Sequence, residues 1–155
     1  MTLPSSPHPA LPAADGYPTW LAVGAAFLKC QRALAGLLKD LDLSIAQHEV
    51  LVRIYRHDGL TQKELASHLL VVKSNVSALL RRLEARGLVT RGTDGEDARR
   101  RRLSLTEEGR SLVWQSFALQ NRVVETMMSS LTPDDVSRLD SIMERVSHSL
   151  DVFPT

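Results

Sequence analysis

The chain of 155 residues is poor in the residue types and groupings that most catalytic and metal-binding sites require. Its single cysteine, Cys30, excludes a disulfide within the chain. Its eight glycines are dispersed and form no loop that could cradle a phosphate group, and no motif pairs a nucleophile with a general base. Its five histidines are also scattered, so no group of His, Cys or acidic residues has the spacing of metal ligands. We therefore expect a protein that is not an enzyme and has no metal or organic cofactor.

Targeting and membrane segments are not evident either. The N-terminus lacks the basic segment and apolar core of a signal peptide, and by inspection no stretch is apolar enough to span a bilayer. Residues 1–16 are rich in Pro, Ser and Ala and are predicted to form a mobile arm. The expectation is a cytoplasmic protein without a membrane partner.

The net charge of +1 conceals an uneven distribution of charge along the chain. Residues 61–106 contain ten Lys and Arg against five Asp and Glu, a net of +5, whereas the rest of the chain has a net of −4. Four arginines in a row, from Arg99 to Arg102, concentrate cations in this segment. Like charges on a short segment repel one another unless an anion neutralises them, so we expect a polyanion to bind here. The alternative is a solvated, charged hairpin without a partner.

Two short helices are predicted inside the basic segment. Thr61 and Glu64 have the spacing of a capping box that begins a helix over Gln62–His68. The next helix has apolar residues at i, i+3, i+4 and i+7, which predicts that one face is buried: Val76, Leu79, Leu80 and Leu83. Gly87 ends this helix at the position where a positive φ is cheap for glycine. Two helices joined by a short turn are typical of a helix-turn-helix.

A two-stranded hairpin is predicted to follow. Residues 88–91 are β-rich, residues 92–97 have the composition of a turn, and residues 103–105 alternate as a second strand. Thr106 then caps a helix from Glu107 to about Met128, whose acidic first turn suits the helix dipole. Helix, turn, helix and hairpin in this order are the layout of a winged helix-turn-helix. That module places one helix in the DNA major groove and the hairpin beside it.

From Leu60 to Arg110 the sequence strongly resembles the MarR family of bacterial transcription regulators, and the flanking helices match that family in pattern. The resemblance implies a DNA-binding regulator, most often a repressor, that binds an inverted repeat of double-stranded DNA as a homodimer. The wing motif of the family occurs as Asp97-Ala98-Arg99, so Arg99 would enter the minor groove and Asp97 would hold either that arginine or the wing in shape. The residues expected to contact DNA are Lys73, Ser74, Asn75, Ser77, Ala78, Arg81, Arg82, Asp97, Arg99, Arg100 and Arg101.

The turn before the recognition helix departs from the family pattern. Where relatives have a glycine and a serine cap, this chain has Leu70 and Val72, and valine cannot cap a helix. Ser74 is available as a substitute cap for a helix that starts one or two residues late. The sequence leaves open which of Lys73, Ser74 and Asn75 contacts bases.

The flanks are predicted to be helical and to carry apolar stripes. A long helix is expected from Pro18 to about Leu41, Ser44 caps a second over Ile45–Arg56, and Thr132 caps a third that starts at Pro133. The first and last of these helices have apolar residues in heptad steps. The stripes are Trp20, Val23, Phe27, Cys30, Leu34, Leu37 and Leu41 in the first, and Val136, Leu139, Met143, Val146, Leu150 and Phe153 in the last.

Two such stripes exceed what a winged-helix core of this size needs to bury, so they favour a homodimer over a helical bundle within one chain. We therefore expect a fold that is mainly α with a small β-hairpin wing, in a single domain over residues 17–155. Residues 44–106 would form the winged-helix lobe, and residues 17–43 and 107–155 the dimerisation region.

The resemblance also implies a small-molecule effector. Relatives bind aromatic carboxylates or other amphipathic ligands between the dimerisation helices and the DNA-binding lobe. Arg32, His48 and Arg110 are the candidate ligand-binding residues here, for a small amphipathic or aromatic anion. Two other functions stay open: a redox-responsive regulator that uses Cys30, and a winged-helix adaptor that binds proteins and not DNA. Cys30 lies on the apolar stripe, and a thiol in apolar surroundings is inert.

Overall fold

The computed structural model describes residues 14–69, 76–94 and 97–153, with the side chains of all of these except positions 68, 93–94 and 97–101. It confirms the predicted fold class, since the described elements are helices and one small antiparallel hairpin. The elements are α1 (Tyr17–Leu38), α2 (Ile45–Arg56), α3 (Gln62–His68), α4 (Val76–Ala85), β1 (Val89–Asp94), β2 (Asp97–Leu105), α5 (Glu107–Met128) and α6 (Pro133–Ser149).

The predicted helix starts are confirmed where the structure describes them. Ser44, Thr61 and Thr132 each form a complete capping box at the start of α2, α3 and α6. At the start of α5, the Thr106 hydroxyl accepts a hydrogen bond from the Gly109 amide. The residues before Val76, including the possible cap Ser74, lie outside the described ranges.

The first helix ends earlier than predicted. α1 stops at Leu38, and a 3-10 turn over Lys39–Leu41 follows. The Leu43 amide donates to the Leu38 carbonyl, and Asp42 has a φ of 51°, so the end of the helix closes through a left-handed residue. The apolar pattern continues to Leu41 because Leu41 still packs against the core from the 3-10 turn.

The strands are longer than predicted, and the arginine run lies inside β2 and not before it. The pairing extends from Val89 opposite Leu105 to Thr93 opposite Arg101. The inner end of the hairpin packs on the core, where Val89, Leu103 and Leu105 are buried. An apolar alternation can mark only this inner part, because the outer part pairs through its backbone and needs no apolar side chains.

The hairpin is joined to the helix-turn-helix by a third short segment. The Leu103 amide donates to the Leu60 carbonyl at 2.8 Å, and the Gly59 amide donates to the Leu103 carbonyl at 3.1 Å. Gly59 has a φ of 80°, a conformation that favours glycine. These bonds fix the wing to the residues that lead into α3.

The core lies between α2, α3, α4 and the inner hairpin, with contributions from α1 and α5. The predicted buried face of α4 is confirmed, since Val76, Leu80 and Leu83 are buried and Leu79 packs against them. Gly109 in α5 lies so close to the strand entry that a Cβ there would overlap the Leu88 carbonyl. The Thr106 hydroxyl donates to the Gly87 carbonyl at 2.7 Å, so the end of α4 and the start of α5 are held together.

The apolar stripes of the flanking helices lie largely uncovered within one chain. Trp20 and Phe27 of α1 are 64% and 52% exposed, and α6 has no buried residue. Towards the C-terminal end of α1 the stripe does reach the core, where Leu34 is buried. The second half of α1 and α5 pack together, whereas α6 makes no extensive contact with the other helices and strands that the structure describes.

The expectation that no stretch is apolar enough to span a membrane was wrong, because one segment is long and apolar enough by length and composition. The segment Tyr17–Leu41 is long enough to cross a bilayer and has a mean hydropathy of 1.4 in its best window, of which 11% is buried. The alanines of α1 raise its mean hydropathy in addition to its large apolar residues. Length and composition are weak evidence for a span.

Candidate nucleic-acid interface

The outward face of α4 has the character expected of a recognition helix. Arg81 and Arg82 are exposed, and the side chains of Ser77 and Ala78, one turn earlier, are small and partly buried. Small side chains allow a helix to approach base edges, and cations near its C-terminal end can meet phosphates. On the neighbouring helix α3, Lys63 is another exposed cation.

Ser77 has an internal partner that the sequence did not indicate. Its hydroxyl accepts a hydrogen bond from Nε2 of Gln62 in α3, with a distance of 2.6 Å between the two atoms. The two residues are 15 positions apart, so no local pattern could reveal the contact. The hydroxyl expected to face bases therefore also joins the two helices of the motif.

Arg91 at the start of the wing is a second feature that sequence reasoning missed. Its Nε donates to Glu84 Oε1 at 2.6 Å, and its Nη1 donates to Gln62 Oε1 at 3.3 Å. The side chains of Arg91 and Glu84 are only 23% and 28% exposed. The spacing of seven residues between Glu84 and Arg91, across the turn at Gly87, is a sequence signal that could have suggested this ion pair.

Two other arginines hold the lobe to its surroundings. Arg102 in β2 donates from Nη1 to the Gly59 carbonyl at 2.9 Å, so the last arginine of the run fixes the wing to the turn before α3. Arg86, directly after α4, donates to the Asp42 carbonyl at 2.6 Å and lies 3.9 Å from the Asp42 carboxylate. The recognition helix is therefore tied at its C-terminal end to the end of the first helix.

Several expected DNA contacts fall where the structure gives no detail. Lys73, Ser74 and Asn75 lie outside the described ranges, and so do the side chains of the wing residues Asp97, Arg99, Arg100 and Arg101. The backbone of these four wing residues belongs to β2. The structure thus brings Ser77, Ala78, Arg81 and Arg82 together on α4, and their roles and those of the wing residues stay predictions.

A cavity of about 450 Å³ lies between α1, α2 and α5, where the lobe meets the flanking helices. It is lined by Phe27, Gln31, Leu34, Ile45, His48, Glu49, Val52, Arg53, Arg56 and Gln120. The Arg56 guanidinium lies 5.7 Å from the centre of the Phe117 ring, a cation–π contact that holds it in place. Of the three candidate ligand residues, His48 lines this cavity, whereas the exposed Arg32 and the partly buried Arg110 do not.

His48 is a buried polar link between α2 and α5. The residue is 4% exposed, and its Nε2 lies 3.0 Å from Gln120 Oε1. Its Nδ1 is buried and has no hydrogen-bond partner in the part of the chain that the structure describes. Burial lowers the pKa of His48 from its usual 6.5, although the bond to Gln120 and the charge of Glu49 oppose the change.

We expect this histidine to make the folded state sensitive to acid. Because the folded pKa lies below the unfolded value of 6.5, the neutral form stabilises the fold fully above pH 6.5. The contribution is lost as the pH falls through the folded pKa. Urea unfolding between pH 5 and pH 8 should show that the free energy of unfolding declines below about pH 6.5. The decline should be smaller in His48→Gln. An identical pH dependence in both proteins would contradict this, since the exposed His57 and His148 are common to both.

Cys30 lies apart from the cavity at His48. It is partly buried and lines a separate cavity of about 480 Å³ between α1 and α5, with Lys29 and Arg122 among its neighbours. Among the residues that the structure describes, no group of three His, Cys, Asp or Glu could hold a metal ion. The redox hypothesis for Cys30 stays untested by this geometry.

Comparison with known proteins agrees with the architecture. A model of the MarR family matches residues 41–100. The transcriptional regulator TtmR of Methylorubrum extorquens is 38% identical over 102 residues, which cover 66% of this chain and 52% of that protein.

Two solved structures extend the similarity over most of the chain. One is a mutant MarR of Escherichia coli complexed with operator DNA, at a TM-score of 0.73 and 27% identity, covering 84% of this chain and 94% of that one. The other is the organohalide-sensing regulator RdhR bound to 2,4-dichlorophenol, at a TM-score of 0.76 and 25% identity, covering 90% and 84%. Because the helix-turn-helix, the wing and the flanking helices all agree, the chain has the fold of the MarR winged helix-turn-helix transcriptional regulators and is similar to them in sequence.

Proposed function

We propose that the protein is a repressor that binds a palindromic operator as a homodimer and releases it when a small amphipathic effector binds. It acts by binding and not by catalysis, in the cytoplasm where its DNA target lies. The observation that carries the proposal is the exposed, cationic face of α4 beside the hairpin that contains the arginine run. A helix of this kind suits the major groove, and an arginine-rich ribbon suits the adjacent backbone and minor groove.

Homodimer formation is supported by the uncovered stripes of α1 and α6. A second copy would cover both stripes by a two-fold arrangement in which each chain offers the same surface. A lipid bilayer is a poorer partner for α1, because Lys29 and Arg32 lie near the middle of Tyr17–Leu41 and charges at the bilayer centre are costly. The family resemblance favours the same two-fold assembly.

The effector site that we propose is the cavity between α1, α2 and α5. Its volume of about 450 Å³ suits a small organic molecule, and its lining joins the apolar Phe27 and Leu34 to the cations Arg53 and Arg56. Such a lining fits an aromatic or amphipathic anion, and the similar protein RdhR has been solved with a chlorinated phenol. Because α2 belongs to the lobe and α1 to the dimerisation region, a ligand here would change the angle between them.

A selection experiment tests the DNA target. The full-length protein is incubated with a library of random duplexes, and bound DNA is recovered and sequenced over several rounds. We expect enrichment of an inverted repeat whose half-sites lie about 34 Å apart, one helical turn, because two recognition helices are related by a two-fold axis. Enrichment of a single asymmetric half-site would refute the dimeric mode of binding. A protein that enriches no duplex at all would favour the adaptor function.

A further inference from the structure

Four polar side chains form a closed circuit around the recognition helix. Ser77 of α4 accepts from Gln62 of α3, and Gln62 accepts from Arg91 of β1. Arg91 in turn donates to Glu84, which lies on α4 again. The amide of Gln62 thus uses both its nitrogen and its oxygen, and the guanidinium of Arg91 uses two separate nitrogens.

The two attachment points on α4 lie on the same side of the helix. Ser77 and Glu84 are seven residues apart, close to two full turns. A single attachment would leave α4 free to rotate about that point, but two attachments on one side fix both its rotation and its tilt. The circuit also includes β1, so the angle between the recognition helix and the wing is fixed by the same bonds.

We propose that Gln62 and Arg91 are positioning residues that set the rotation of the recognition helix relative to the wing, and through it the discrimination between operator and other DNA. The inference rests on the proposed function, because it concerns how that function selects its target. The two residues do not need to touch a base. Arg91 has its Nε and Nη1 engaged within the protein and is 23% exposed at its side chain, so it is poorly placed for a phosphate contact.

Rotation of α4 should affect specific and non-specific binding differently. Base edges are read by short side chains at fixed positions, so a small rotation moves them out of hydrogen-bonding range. Phosphate contacts are made by long, flexible cations that tolerate the same rotation. Loosening the circuit should therefore weaken operator binding and spare the binding of random duplex.

The experiment compares two variants with a matched control. Gln62→Ala removes both of its bonds, and Arg91→Lys keeps the positive charge but loses the planar fork that reaches two partners at once. Gln115→Ala is the control, because Gln115 is an exposed glutamine of α5 whose side chain bonds locally to Ser111. Each full-length protein is titrated with the duplex enriched by the wild type and with a scrambled duplex at several salt concentrations. Thermal unfolding is followed in parallel.

We expect Gln62→Ala and Arg91→Lys to lower the ratio of operator to scrambled affinity by roughly three- to tenfold, the range for one or two partly buried hydrogen bonds. The salt slope should stay unchanged, because both variants keep every phosphate-binding cation in place. Gln115→Ala should match the wild type. Ser77→Ala should act through the same bond, so the double variant with Gln62→Ala should lose less than the sum of the two.

Two results would overturn the inference. One is an equal loss of affinity for both duplexes, with or without a lower unfolding temperature, which would make the circuit merely structural. The other is an unchanged ratio in both variants. If the wild type itself prefers no duplex, the proposed function fails and the inference fails with it, whereas the two results above would refute the inference alone.

Discussion

Met143→Asp is expected to turn the dimer into a folded monomer. Met143 lies in the middle of the α6 stripe and is 40% exposed within one chain. In a two-fold interface the substitution would bury an unpaired carboxylate in each of the two protomers, at a cost of several kcal/mol. A loss of ~4 kcal/mol corresponds to a roughly thousandfold weaker dimer. Sedimentation at micromolar concentration should show the change directly.

Ser141→Asp is the matched control for this prediction. Ser141 belongs to the same helix and is exposed, but it lies two residues before Met143 and on the opposite face. The control should remain a dimer and bind operator like the wild type. Because Met143 belongs to no buried cluster among the residues that the structure describes, Met143→Asp should keep its helical signal and its unfolding transition. A wild-type protein that sediments as a folded monomer would refute the dimer, whatever the variants do.

Local signals accounted for the helices in this chain, because a helix start is set by residues three or four positions apart. The capping boxes at Ser44, Thr61 and Thr132 are local pairs of this kind, and all three were found where the sequence placed them. The apolar stripes of α1 and α6 could also be predicted, since heptad spacing depends only on the order of residues within one helix.

Contacts between residues far apart in the chain could not be predicted from the sequence. The bond between Gln62 and Ser77 depends on how two helices cross, and the bond between Gln62 and Arg91 spans 29 positions. The hairpin was predicted too short for a related reason, because its outer part is stabilised by backbone pairing that leaves no apolar pattern. The cavity at His48 needs three helices to assemble, so the sequence could not show that His48 lines it and that Arg32 and Arg110 do not.

Substitutions in the wing and in the recognition helix should differ in their effect on the salt dependence of DNA binding. Arg99, by resemblance, enters the minor groove, where it benefits from the negative potential and from displaced counterions more than from base identity. Arg99→Ala should weaken binding to operator and scrambled duplex together. It should also flatten the plot of log affinity against log salt by ~0.9 for each wing, or roughly two units for a dimer. Arg145→Ala is the control, since it removes an exposed cation from α6 and should leave the slope unchanged.

A substitution at Ala78 on the recognition helix should have the opposite effect, a loss of operator affinity alone. Ala78→Leu adds bulk beside the base edges without changing the charge, and it leaves the hydrogen bond between Ser77 and Gln62 in place. We expect operator binding to weaken by an amount on the order of 1–3 kcal/mol for each base that the helix no longer reaches, with the scrambled affinity and the salt slope kept. Arg81→Ala should fall between the two, because a long cation at that position can reach either a guanine edge or a phosphate. Two results would show that this assignment of the wing to the backbone and of α4 to the bases is wrong, even for a protein that binds DNA. One is an unchanged salt slope for Arg99→Ala, and the other is an equal loss of affinity for both duplexes in Ala78→Leu.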